Sequence, residues 1–165
     1  GQMHFQDFWV GLKGKPEVLG INFAGMDRAQ PSPGFLKLLD REETIIIGPS
    51  NPVTSIGPIL ALPGVRNRLA KKRVVAVSPL LEDRPASGPA ARFMAAFGAP
   101  SGDEGVRSLL GKVDLFVVDK KSSYNGECRR MSTRMRNKRE SRKVAEELLA
   151  MMEGMHAPGY PLSVR

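Results

Sequence analysis

The chain has 165 residues, is 41% hydrophobic and carries a formal net charge of +8. That is enough apolar content to close one core without disulfides or a structural metal. Its longest apolar runs, residues 44–48 and 73–77, are strand-sized and fall well short of the roughly 20 residues needed to cross a bilayer. No basic, apolar leader opens the sequence and the single Cys128 excludes an internal disulfide, so the expected location is the cytoplasm. One cysteine and two distant histidines, His4 and His156, give no local metal-ligand pattern, and no metal site is assigned from the residues. The chain opens on Gly1 and runs at once into the apolar and aromatic stretch 5–10, as expected of a cut chain.

In chain order, residues 5–23 have β character, with Pro16 and the glycines suiting a hairpin or an edge excursion. Residues 31–40 read as a helix entered through Pro33 that packs Phe35, Leu36, Leu38 and Leu39. The β-branched run 44–47 ends in Gly48-Pro49, as a buried parallel strand does when it meets its loop. Two short helical pieces follow, 56–62 and 65–70, broken at Pro63-Gly64. A second strand, 73–78, leads through the loop 79–87 to a helix over 89–97, capped by Ser87 and closed by Gly98. The third strand is 114–118, ending on Asp119. A last helix, 138–152, sets Val144, Leu148 and Met151 on one face with Ala145 and Leu149 beside them, and the tail after Gly154 is expected to be loose. Strand, loop and helix recur, so the fold class is α/β with a mainly parallel sheet and flanking helices.

The positive charge is concentrated. Ten Lys and Arg lie between Asp119 and Lys143, against Asp119, Glu127 and Glu140. Such a run is either a solvated connector entering a surface helix or a phosphate-contacting segment. With only Tyr124 ahead of it and no aromatic within it, base stacking is poorly supported, which makes nucleic acid an unfavoured partner.

In open α/β sheets ligands bind beyond the carboxyl ends of the strands. The richest such ending is the run 48–58, GPSNPVTSIGP. It lacks the Gly-Lys-Ser/Thr ending of a P-loop, and three prolines remove backbone donors. A phosphate cradle here would depend on Ser50, Asn51, Thr54 and Ser55, on a loop the prolines hold stiff; an ordinary connecting loop has the same composition.

The wording IIIGPSNPVTSIGPILALPGVR over residues 45–66 is very similar to the signature of the 2-phospho-L-lactate transferase family, including its phosphoenolpyruvate-transferring bacterial members. The likeness continues through HFQDFWV (4–10), KPEVLGINFAG (15–25), VVAVSP (74–79), SGPAARFMAAFG (87–98) and DLFVVD (114–119). The resemblance implies a Rossmann-like fold, of which residues 1–153 would be the C-terminal part and 154–165 a tail, since members are about twice this length. It also implies a GDP-linked phospholactate or phosphoenolpyruvate donor, the deazaflavin Fo as acceptor, magnesium, and a place in coenzyme F-420 biosynthesis, with a homodimer left open. In that chemistry a hydroxyl of Fo attacks the donor phosphorus and GMP leaves.

By the same resemblance Gly48, Ser50, Asn51, Thr54 and Ser55 line the substrate and phosphate region, with Ser87 and Gly88 of the second loop beside them. No general base is assigned; Asp7 and Asp119 are carboxylates within the matching stretches. Two departures stand out. Leu80-Leu81-Glu82-Asp83 replaces a small glycine-containing turn and brings negative charge toward an anion site, and the segment 129–135 replaces an apolar strand, which is expected to be lost. The alternative readings are a nucleotide-sugar-binding regulator of the same superfamily and a truncated inactive chain that binds RNA nonspecifically.

Overall fold

The computed structural model describes residues 1–85 and 90–155. A four-stranded, wholly parallel sheet of order β1-β2-β5-β6 forms its centre, built from β1 (Thr44–Ile47), β2 (Arg73–Val77), β5 (Leu115–Asp119) and β6 (Arg129–Met131). A small antiparallel hairpin, β3 (Leu80–Leu81) and β4 (Arg84–Pro85), follows β2. The helices are α1 (Pro33–Arg41), α2 (Ile56–Ala61), α3 (Val65–Leu69), α4 (Ala90–Ala96), α5 (Asp103–Leu110) and α6 (Lys138–Met155).

β2 and β5 are buried on both faces, which is why they read as unbroken apolar runs. Their side chains alternate between two cores. Val74, Ala76, Phe116 and Val118 face one core, with Leu39, Leu60, Val65, Phe93, Val106 and Leu110 from α1 to α5. Val75, Val77, Leu115 and Val117 face the other, closed by Met131, Val144 and Leu148. The apolar stripe of α6 is narrower than its sequence suggested, since Ala145 and Leu149 are exposed.

Local signals set the helix ends. The Ser32 hydroxyl accepts from the Phe35 N–H (3.2 Å) and Pro33 opens α1. At α6 the Asn137 side chain accepts from the Glu140 N–H (3.0 Å), while the Glu140 carboxylate accepts from the Arg136 N–H (2.8 Å), a reciprocal cap. Gly64, at φ 74°, makes the left-handed step between α2 and α3. The cap expected from Ser87 and the tail after Met155 lie outside the described residues.

Two expectations are corrected. Residues 5–23 contain no strand; a π-helical turn, Asp7–Gly11, stands there instead. The aromatic residues that gave this stretch its β character are used in tertiary packing, with Phe5 and Phe8 tilted against Phe93 of α4 at ring separations of 5.8 and 5.7 Å. Arg92 of α4 ties the segment down by donating to the Gly14 and Lys15 carbonyls. The strand expected to be lost near 129–135 survives as β6. An edge strand pairs through its backbone and needs few inward side chains, so Met131 alone faces the core while Arg129 and Arg130 stay exposed.

Candidate functional site

The carboxyl ends of β1 and β2 open into a cleft of about 420 Å³. Because the sheet runs β1-β2-β5-β6, the loop after β1 and the segment after β6 approach it from opposite ends, with Ser78 and Pro79 after β2 between them. Pro49, Ser50, Asn51, Thr54 and Ser55 form the first wall. Thr133, Arg134, Met135 and Arg136 form the second, and Phe5, Trp9 and Phe93 supply an aromatic end.

The first wall is held by its own backbone. Asn51 Oδ1 accepts from the N–H groups of Val53 (2.9 Å) and Thr54 (3.1 Å), and its carbonyl accepts from Ser55 (3.1 Å) and Ile56 (3.0 Å). Val53 is buried beneath it and Pro49 and Pro52 fix φ on either side, so the polar side chains are carried on a stiff frame. Gly57 belongs to the same frame: a Cβ there would meet the Phe23 ring at 3.1 Å and the Pro52 carbonyl at 3.2 Å.

Below the cleft lies a buried polar network. The Ser78 hydroxyl donates to Asp103 Oδ1 and accepts from the Leu80 N–H (3.1 Å). The Ser122 hydroxyl donates to Asp103 Oδ2 (2.5 Å) and accepts from the Tyr124 N–H (3.1 Å). Asp103, 3% exposed in the first turn of α5, therefore joins the loop after β2 to the loop after β5, and its carboxylate is satisfied by two hydroxyl donors.

The second wall carries charge, and much of it is compensated. Arg136 grips Glu140 through Nε (3.1 Å) and a terminal nitrogen (2.7 Å). Hydrogen bonding from Arg136 is the main reason the Glu140 carboxyl is lowered from 4.5 to about 2. Arg142 and Lys143 face Glu146 and Glu147 one turn on. The acidic turn of the β3–β4 hairpin is likewise occupied. Glu82 receives Lys121 Nζ at 2.6 Å, with Arg134 at 3.8 Å, and the bond from Lys121 depresses its pKa. Asp83 accepts the Ser123 N–H (3.0 Å), which lowers its own. Neither carboxylate lines the cleft, so the negative charge flagged in the sequence is turned toward the β5–β6 connection instead.

Among the described residues no Asp, Glu, His or Cys lines the cleft, and no three such side chains gather as a metal site. Asp119 is buried at the end of β5, where Oδ1 accepts the Lys121 N–H (3.1 Å).

The family model of 2-phospho-L-lactate transferase CofD matches residues 1–155. The chain belongs to that family. It is 40% identical over 165 residues to the 2-phospho-L-lactate transferase of Methanosarcina barkeri, covering 94% of this chain and 53% of the relative. Identity with the Methanosarcina mazei enzyme of the same name is 49% over 122 residues, 73% of this chain and 40% of that one. With the Methanopyrus kandleri protein it is 37% over 161 residues, 93% and 52%. The chain thus spans about half the length of the curated relatives it matches.

Of the residues the resemblance singled out, Ser50, Asn51, Thr54 and Ser55 are brought together on the first wall. Gly48 follows β1 beside them but does not line the cleft, and Ser87 and Gly88 lie outside the described residues. Asp7 begins the π-helical turn and is exposed outside the cleft. Sequence reasoning missed Asp103, whose partners are 25 and 19 residues away, and the placing of Thr133 and Arg136 in the cleft; the density of arginines around them was the only signal.

Proposed function

We propose that this chain forms part of an enzyme that moves a 2-phospholactyl or phosphoenolpyruvyl group from a GDP-activated donor to a hydroxyl of the deazaflavin Fo in coenzyme F-420 biosynthesis. The observation that carries the reading is the cleft itself, in which a stiff neutral loop and an arginine-bearing segment meet over the strand ends of a family member. In the transfer the acceptor oxygen bonds to the phosphorus next to the organic acid, the bond from that phosphorus to the GMP oxygen breaks, and GMP leaves. The task for protein groups is positioning and stabilisation of phosphate charge.

Ser50, Asn51, Thr54 and Ser55 suit the first role because their frame is preorganised, and Arg134 and Arg136 suit the second. The aromatic end, with Phe5, Trp9 and Phe93, suits a planar ring such as the acceptor's.

The test is GMP release by this chain extended to the relatives' full length, supplied with donor and Fo. Asn51→Ala is expected to slow turnover at least tenfold. Full activity in a Ser50→Ala, Asn51→Ala double variant would remove the first wall from the site. Absence of GMP release from the extended protein, with a family relative active alongside, would remove the reaction.

A further inference from the structure

The turn of the β3–β4 hairpin is built from residues that do not suit it. Its two central positions, Glu82 and Asp83, stand at φ 54° and 62°, the left-handed region where a two-residue hairpin ordinarily carries Asn-Gly. Strands of two residues each add little pairing to offset that strain. What holds the turn lies outside the hairpin. The Glu82 carboxylate receives Lys121 Nζ at 2.6 Å, and both oxygens of Asp83 accept the Ser123 N–H at 3.0 Å. The two side chains thus reach one three-residue stretch of the β5–β6 connection.

That stretch is a fixed catch, and the hairpin has a fixed root. Ser122, between Lys121 and Ser123, is buried and gives its hydroxyl to Asp103 Oδ2 (2.5 Å). Ser78, at the root, donates to Asp103 Oδ1 and accepts the N–H of Leu80, which is itself buried. One buried carboxylate therefore anchors root and catch together. Between them none of residues 81–85 is buried, and Leu81 and Pro85 line the cleft. The piece least held by packing is the piece that borders the cleft.

We propose that the β3–β4 hairpin is a flap on the rim of the cleft, hinged after Ser78 and held shut by a latch in which Glu82 and Asp83 engage Lys121 and Ser123. The structure shows the shut state. The latch is reversible because its parts are weak one by one: the Lys121–Glu82 pair is exposed, and such a pair shifts an equilibrium only a few-fold. Glu82 faces the cations Lys121 and Arg134 and the anion Asp119, and the attraction is screened by salt. The flap governs access to the cleft whatever the cleft holds, and does not depend on the reaction proposed above.

The experiment uses the 165-residue chain, whose single tryptophan, Trp9, lines the same cleft and reports its opening through quenching by acrylamide, a neutral molecule. Amide exchange is followed alongside. Lys121→Met keeps the backbone bond to Asp119 and should speed exchange at Ser123 about two- to fivefold, raise Trp9 quenching, and leave the amides of β2 and β5 unchanged. The double variant Glu82→Asn, Asp83→Gly suits the turn better and removes both latch side chains; it should show the same two changes with the hairpin still paired. Added salt should raise quenching in the unaltered chain and not in Lys121→Met. Faster Ser123 exchange with Trp9 quenching unchanged in both variants would reduce the latch to a surface contact and overturn the flap. So would equal salt responses in the unaltered chain and Lys121→Met. Faster exchange throughout β2 and β5 in Lys121→Met would make the pair a brace for the whole fold, and would overturn it as well.

Discussion

The two walls of the cleft solve the same problem by opposite means. The loop from Gly48 to Ser55 carries no charge and takes its shape from its backbone, through proline φ angles and an asparagine side chain that closes the turn. The segment from Thr133 to Arg136 has little backbone organisation until α6 begins, and its arginines are placed by ion pairs at the surface. A wall of the first kind keeps its geometry whatever the solvent. One of the second kind gives long-range attraction but answers to salt and pH. A site built from both can capture an anion with one side and align it against the other.

The largest loss is expected in the buried network beneath the cleft. Asp103→Ala leaves the buried hydroxyls of Ser78 and Ser122 without their acceptor and is expected to destabilise the chain by about 2–4 kcal/mol in urea unfolding. Asp103→Asn, which keeps one acceptor oxygen, should lose clearly less. Next in size is Asn51→Ala, which frees two N–H groups and should cost about 1–2 kcal/mol. Its mark would be faster amide exchange at Val53 and Thr54, with Asn51→Asp close to the original chain because the acceptor oxygen remains.

Ionic strength sharpens the contrast directly. Between 0.05 and 0.5 M salt, phosphate affinity should fall several-fold through the second wall, while amide exchange in the first wall stays unchanged. Acid gives the smallest effect. Glu140 titrates at about 2 in the folded chain against an ordinary 4.5, so its contribution to the start of α6 is present above about 4.5 and is lost as pH falls toward 2. Glu82 and Asp83 are depressed in the same sense. Circular dichroism should show slight fraying of α6 across that window, and none in a Glu140→Gln variant, whose cap is already weaker at neutral pH.

How far the sequence revealed this arrangement follows the range of the interactions. β2 and β5 announced themselves because a strand buried on both faces must be apolar at consecutive positions. β1 was legible from its β-branched run, although it is an edge strand with Ile46 exposed and is less buried than expected. The ends of all three fell within a residue of those read from the sequence. The first wall was legible for the same reason: prolines and an asparagine act on their own neighbours. The segment 5–23 was misread because its aromatic residues were recruited by α4, some 80 residues along the chain, and no local pattern records that. β6 was discounted because its outward residues are arginines, although its pairing with β5 does not depend on them. The charge run was visible, but not the fact that its acidic partners lie one helical turn away or on the β3–β4 hairpin. Helix α5 went unread altogether, since DEGVRSLL has a glycine in its interior and few apolar residues.

That glycine explains more than the missed helix. A Cβ at Gly105 would stand 1.8 Å from the Pro100 carbonyl oxygen, closer than any atom can come. The opening turn of α5 is pressed against the chain that leads into it, two residues from the carboxylate that ties the loops after β2 and β5 together. Only a residue without a Cβ lets these two stretches of backbone come so close, so any substitution at Gly105 would push the start of α5 away, and with it the carboxylate that holds Ser78 at the floor of the cleft.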